Sequence, residues 1–246
     1  LTGFTPGERD QSGSLRIPQK LYGRQDEIEV LLASFERICD GATELMLVAG
    51  YSGIGKSALV QEVHKPIVRQ RGYFISGKFD QYKRDIPYAS LIQAFQELVR
   101  QLLTESAGSI ADWKTKISAA LGANGRVITD VIPEVELITG PQPAVPELPP
   151  GEAQNRFNDV FSDFVRVFTR KEHPLTIFLD DLQWADSASL ALLKILVTDP
   201  DTGYLFVIGA YRDNEVDDSH PFMLALSEIQ GDRKSVELGN SVDIRC

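Results

Sequence analysis

Residues 50–57 read GYSGIGKS, three glycines followed by a lysine and a serine. The spacing G-x-x-x-x-G-K-S suits the holding of phosphate. Gly50, Gly53 and Gly55 permit backbone conformations that would crowd a Cβ, so the amides of this stretch, Ser52, Ile54 and Ala58 included, can turn inward around an anion. The amino end of a helix opening near Lys56 adds further N–H donors. Lys56 brings an ammonium to the outer phosphates of a polyphosphate, and Ser57 offers the hard oxygen that Mg²⁺ prefers. A nucleoside triphosphate is the expected occupant.

A second constellation lies in PLTIFLDDLQWAD, residues 174–186, where an apolar run ends in two adjacent carboxylates. A carboxylate at the carboxyl end of a parallel strand faces the crevice in which α/β sheets bind ligands. Asp180 is expected to hold Mg²⁺, directly or through water, and Asp181 to orient or deprotonate the water that attacks the γ-phosphate. The plainer alternative is a pair of solvated turn residues, with Asp181 capping the turn that follows. Asp186 precedes an amphipathic run and reads as a helix N-cap, and Trp184 reads as packing. In YLFVIGAYRDNEV, residues 204–216, Arg212 follows another apolar strand. It either meets the γ-phosphate and reports its presence, or is a surface arginine paired with Asp213 or Asp217. No guanine-reading N-K-x-D motif occurs, so adenine is the expected base. Leu21 and Tyr22 offer it apolar and aromatic surface, or else anchor a linker. His64, His173 and His220 show no metal-ligand spacing and belong to no Ser-His-Asp arrangement.

These residues need a frame. Residues 45–49, 175–179 and 205–211 are continuous apolar runs, as strands covered on both faces would be, and GYFISG, 72–77, reads as another strand. Helical periodicity marks 26–39, 56–71, 90–104, 152–170 and 187–197, with a further helix from Pro221 and a weak strand near Val236. Within 105–150, SIADWKTKISAAL has helical spacing, while TGPQPAVPELPP is a proline-laden loop that is a surface connection or a partner contact. Strands alternating with helices predict a parallel α/β sheet covered on both sides. Residues 1–20, rich in Gly, Pro, Ser and charge, read as a linker.

A chain of 246 residues can bury a sizeable core as one large or two small domains. The formal net charge of −10, with no dense Lys/Arg block, argues against nucleic acid and against an anionic membrane surface. Cys39 and Cys246 are the only cysteines, which suggests neither a disulfide framework nor a metal site and fits a reducing, cytoplasmic setting. No apolar stretch approaches the ~20 residues that span a bilayer, and the polar opening does not look like a signal peptide. The start at Leu1 and the untapered end at Cys246 suggest a piece of a longer chain.

Taken in order, LYGRQDEIEVLLASF, GYSGIGKSALV, TIFLDDLQWAD and GAYRDNEV resemble the STAND class of AAA+-related P-loop ATPases. More closely, nearly the whole chain is similar to the ATPase module of large bacterial multi-sensor serine/threonine and histidine kinases. The resemblance implies a three-layer α/β/α sandwich over residues 21–246, a five-stranded parallel sheet of order 5-1-4-3-2, and a helical, Pro-rich insertion at 105–150. It makes 50–57 the Walker A loop, Asp180 and Asp181 the Walker B pair, and Arg212 the first sensor, with Tyr22, Gly23 and Arg24 flanking the adenine. It implies a slow ATPase, with ATP or ADP and Mg²⁺ as cofactors, acting as a conformational switch. The partners implied are kinase-like, GAF and histidine-kinase domains of the same chain, and self-association stays open. The winged-helix part of the family is absent from this sequence, and no arginine finger is identifiable. Two rivals remain: a binding-only nucleotide module, and a phosphotransferase with a small acceptor.

Overall fold

A computed structural model describes residues 24–69, 72–233 and 242–245. The buried run ahead of the glycine loop is β1, Thr43–Ala49, with every residue out of solvent. Around it lie β4, Leu205–Tyr211, on one side and β5, Val242–Arg245, on the other. Beyond β4 come β3, Leu175–Asp180, and β2, Tyr73–Lys78. All pairings are parallel and the order is β2-β3-β4-β1-β5, the expected order seen from its other end. Expectations for Tyr22, Gly23, the linker 1–20 and a strand near Val236 fall outside the described residues.

Two layers cover the sheet, and strand alternation sorts side chains between them. α1, Gln25–Cys39, and α2, Lys56–Arg69, lie on one face. Their Leu31, Phe35, Ile38, Leu59, Val60, Val63 and Ile67 bury against Met46, Val48, Phe178, Phe206 and Ile208. Leu45, Leu47, Ile177, Leu179 and Val207 face the opposite layer. That layer holds α3, Ala89–Leu102, α7, Pro150–Phe168, α8, Ser187–Thr198, and α9, Pro221–Arg233. The aromatic stripe of α7 is core: Phe161, Phe164 and Phe168 stack around Phe95 of α3 at ring separations of 5.3, 5.7 and 6.2 Å.

The stretch after α3 is more ordered than its periodicity announces. Besides α4, Ala107–Leu121, it contains α5, Gly125–Thr129, and α6, Glu134–Thr139. Both are too short to show a hydrophobic period. They nevertheless bury Ile128, Val135 and Ile138, with Ile132 between them, in the same cluster as Trp113 and Ile117 of α4 and the sheet. The proline-laden loop occupies 140–149, and Pro150 opens α7, where a residue without an N–H is tolerated. No helix among the described residues is long and apolar enough to cross a membrane.

Candidate nucleotide and magnesium site

Four strands deliver their carboxyl ends to one edge of the sheet. β1 runs into the glycine loop, β4 hands on to Arg212, and β3 ends at Asp180, which is in register with Lys78 at the end of β2. The strand order therefore sets Lys78, the acidic pair, Arg212 and the loop side by side. A cleft at this edge is lined by Ser52, Gly53, Gly55, Lys56, Ser57, Ala58, Lys78, Asp180, Asp181 and Arg212.

The glycine loop takes positive φ at Gly53 (+80°) and Gly55 (+98°), conformations a side chain would strain. Lys56 opens α2 and is buried. Its Nζ donates to the carbonyls of Gly50 (2.6 Å) and Tyr51 (3.0 Å), drawing the loop around the ammonium. Gly50 and Ile54 contribute backbone rather than cleft wall: the Ile54 carbonyl accepts from Arg24 Nη2 at 3.1 Å, which ties the residue just before α1 to the loop.

Ser57 Oγ donates to Asp180 Oδ2 at 3.2 Å, a contact between residues 123 apart in sequence. The other carboxylate oxygen of Asp180 accepts the Asp181 backbone N–H at 3.0 Å. A hydroxyl and a carboxylate converging in this way form a hard oxygen pair. That pair fits Mg²⁺, which takes one or two protein ligands and completes its shell with water and phosphate oxygens. Among the described residues no group of three or more His, Cys, Asp and Glu could hold a metal alone. The histidines serve packing and local bonds: His64 lies against Phe74, His173 Nδ1 is 2.9 Å from the Phe168 carbonyl, and His220 Nδ1 accepts the Phe222 N–H.

Asp181 differs from Asp180 in backbone conformation, burial and partners. Its backbone is left-handed (φ +55°), a conformation Asp tolerates better than most residues, and its side chain is only 10 % exposed. It opens a single 3₁₀ turn, Leu182–Trp184, without capping it. Its carboxylate instead meets Lys78 Nζ at 3.2 Å, Arg212 Nε at 3.3 Å and Gln183 Nε2 at 3.2 Å. Arg212 pairs with Asp181 and with Glu215 (2.7 Å), not with Asp213 or Asp217. The hydrogen bond that Arg212 donates to Glu215 is the main influence raising the guanidinium above its ordinary pKa. Asp186 caps α8 through the Ser189 N–H at 2.8 Å, as its position before the helix implies.

Sequence reading passed over four residues here. Lys78 ends its strand as Asp180 ends β3, and that shared position was the available signal. Gln183, 1 % exposed, joins the ring: its amide donates to Asp181 and Glu215 and accepts the Arg212 backbone N–H. Glu215 completes the ring through Arg212. Arg84 donates to the Gln183 carbonyl at 2.7 Å and lies 4.6 Å over the Trp184 ring, so Trp184 packs against a cation rather than entering the cleft with Lys56. Leu182 settles on β4 where Gly209 has no Cβ: an added one would lie 2.3 Å from Leu182 Cδ1. That close approach holds the acidic turn down on the sheet.

A family model for an AAA ATPase domain matches residues 20–208. Hybrid signal transduction histidine kinase G of Dictyostelium discoideum is 39% identical over 197 residues, covering 80% of this chain and 6% of that protein. Histidine protein kinase 1 of Candida albicans is 22% identical over 195 residues, 73% of this chain and 8% of that protein. The chain thus spans less than a tenth of either relative. Among solved structures, Cdc6p from Pyrobaculum aerophilum is similar with a TM-score of 0.46 at 14% identity, over 91% of this chain and 52% of that one.

Proposed function

This chain belongs to the AAA ATPase domain family, and from that premise we propose that it binds ATP with Mg²⁺, hydrolyses it slowly and acts as a nucleotide-dependent switch in a multi-domain signalling protein of the STAND type. The observation that carries the reading is the Ser57 Oγ to Asp180 Oδ2 contact of 3.2 Å beside the buried Lys56. In this reading the amides from Ser52 to Ala58 and the Lys56 ammonium bind the β- and γ-phosphates. Ser57 and Asp180 hold Mg²⁺, which when bound neutralises charge that builds on the phosphate oxygens.

Asp181 orients a water molecule whose oxygen attacks the γ-phosphorus in line. The bond to the bridging oxygen breaks, ADP leaves, and the proton lost by the water passes to Asp181 and then to solvent. Arg212 turns from Asp181 toward the γ-phosphate and returns when that phosphate departs, so the ion pair reports the state of the nucleotide. Slow turnover follows from the three partners that already occupy the Asp181 carboxylate. Arg24, tied to the loop through the Ile54 carbonyl, flanks the adenine in this reading. The two histidine kinases at 39% and 22% identity support a place in signal transduction. The acidic charge gives no support to a nucleic-acid partner.

Calorimetric titration with ATP and with ADP in Mg²⁺, followed by a phosphate-release assay, tests the reading. Lys56→Ala is expected to lose binding of both nucleotides. Asp181→Asn should keep binding while release falls by about 100-fold. Unchanged affinity in Lys56→Ala would sink the phosphate-loop assignment, and tight retention without any release would reduce the chain to a binding-only module.

A further inference from the structure

We infer that Lys78 is a further phosphate contact, bridging Asp181 to the terminal phosphate of the bound triphosphate; the inference rests on the nucleotide reading above. Lys78 lines the phosphate cleft and also the neighbouring cleft walled by Phe79, Tyr82 and Trp184, so its side chain stands between the two. Its backbone is fixed. Ser90 Oγ donates to the Lys78 carbonyl at 2.8 Å, and the Phe79 N–H donates to the Asp180 carbonyl at 3.0 Å. Its tip is much less constrained: the side chain is 67% exposed and its ion pair to Asp181 Oδ2, at 3.2 Å, is a single-point contact. A fixed base with a free cationic tip suits a group that must reach a ligand and withdraw.

Charge balance gives the tip its destination. Asp181 is nearly buried and keeps its charge compensated through Lys78 and Arg212. When Arg212 turns to the γ-phosphate, Lys78 is the cation left to Asp181. An ammonium has three N–H donors around one compact charge, so it can keep one on Asp181 and direct another to a phosphate oxygen. A contact of this kind forms with the terminal phosphate of ATP and not with ADP, which makes Lys78 a determinant of the preference between them.

The test uses the whole chain with Lys78→Met and Lys78→Arg, titrated with Mg²⁺ and ATP or ADP, with Lys56→Ala alongside. Lys78→Met is expected to weaken ATP by about tenfold while ADP shifts by less than about twofold, the loss of one charge-assisted bond. Lys78→Arg should recover most of the ATP affinity. Equal losses for both nucleotides, or no loss for either, would overturn the role of Lys78 and leave the nucleotide reading standing, provided Lys56→Ala still abolishes binding. If the parent chain binds neither nucleotide, or Lys56→Ala binds as the parent does, the nucleotide reading fails and the Lys78 contact falls with it.

Discussion

The two edges of the sheet use the same side chains to opposite ends. At the amino edge, Arg37 meets Glu44 through two bonds of 2.5 and 2.8 Å and adds a third to Ser34, around a Glu44 side chain with no exposure at all. On the same edge Arg166 binds Asp163 and doubly binds Asp199, which also accepts from Thr202. These are closed, multiply bonded networks. At the carboxyl edge, Lys78 and Arg212 approach Asp181 at 3.2 and 3.3 Å, each through one nitrogen, along the wall of a cleft. Ion pairs that are short and multiply bonded fix the connections between helices and strands. Pairs that are longer and single-point leave their partners available to exchange.

Removing one partner from each edge should expose the difference. Arg37→Met leaves a carboxylate buried within β1 and is expected to cost about 3–5 kcal/mol in urea unfolding. A loss below about 1 kcal/mol would show that the amino-edge pairs are not structural. Acid sharpens the contrast. Burial, the largest single influence, pushes the Asp199 carboxyl up, but the bonds from Thr202, Arg166 and the Asp201 backbone outweigh it and hold the pKa below the ordinary value. A depressed carboxyl contributes stability that is fully present above its unfolded pKa and is lost as pH falls through its folded one. The stability gap between the parent and Asp199→Asn should therefore be full at neutral pH and close below about pH 4. Stability curves that run parallel across that window would count against it. Smallest of all, Lys78→Met is expected to change folding stability by less than about 1 kcal/mol, because the Lys78 side chain is 67% exposed and Arg212 remains paired with Asp181. A cost matching that of Arg37→Met would erase the distinction between the edges.

Much of the site was legible because its signals are local. Strand, glycine loop and helix are consecutive at 45–69, so the loop conformation and the placement of Lys56 and Ser57 follow from neighbours in sequence. Asp180 and Arg212 could be placed because each ends an apolar strand. Legibility failed wherever partners came from different strands. Spacing offered Asp213 and Asp217 to Arg212, but the register of β3 and β4 supplied Asp181 instead, and a short turn supplied Glu215. Gln183 carries no periodic signal, since a single 3₁₀ turn held down by the missing Cβ of Gly209 is what buries it.

The sequence by itself determined the parallel α/β alternation, the core stripes of α3 and α7, and the phosphate loop with its lysine and serine. These depend on period and local backbone preference, which a single stretch of chain carries. Tertiary structure decided which polar groups meet: Ser57 with Asp180, Lys78 and Arg212 with Asp181, Arg84 with the turn at Gln183. Those meetings follow from strand order and register between residues up to 123 apart in sequence. Hydrophobic burial on both faces fixes that order, and the charges at the strand ends are brought together by it.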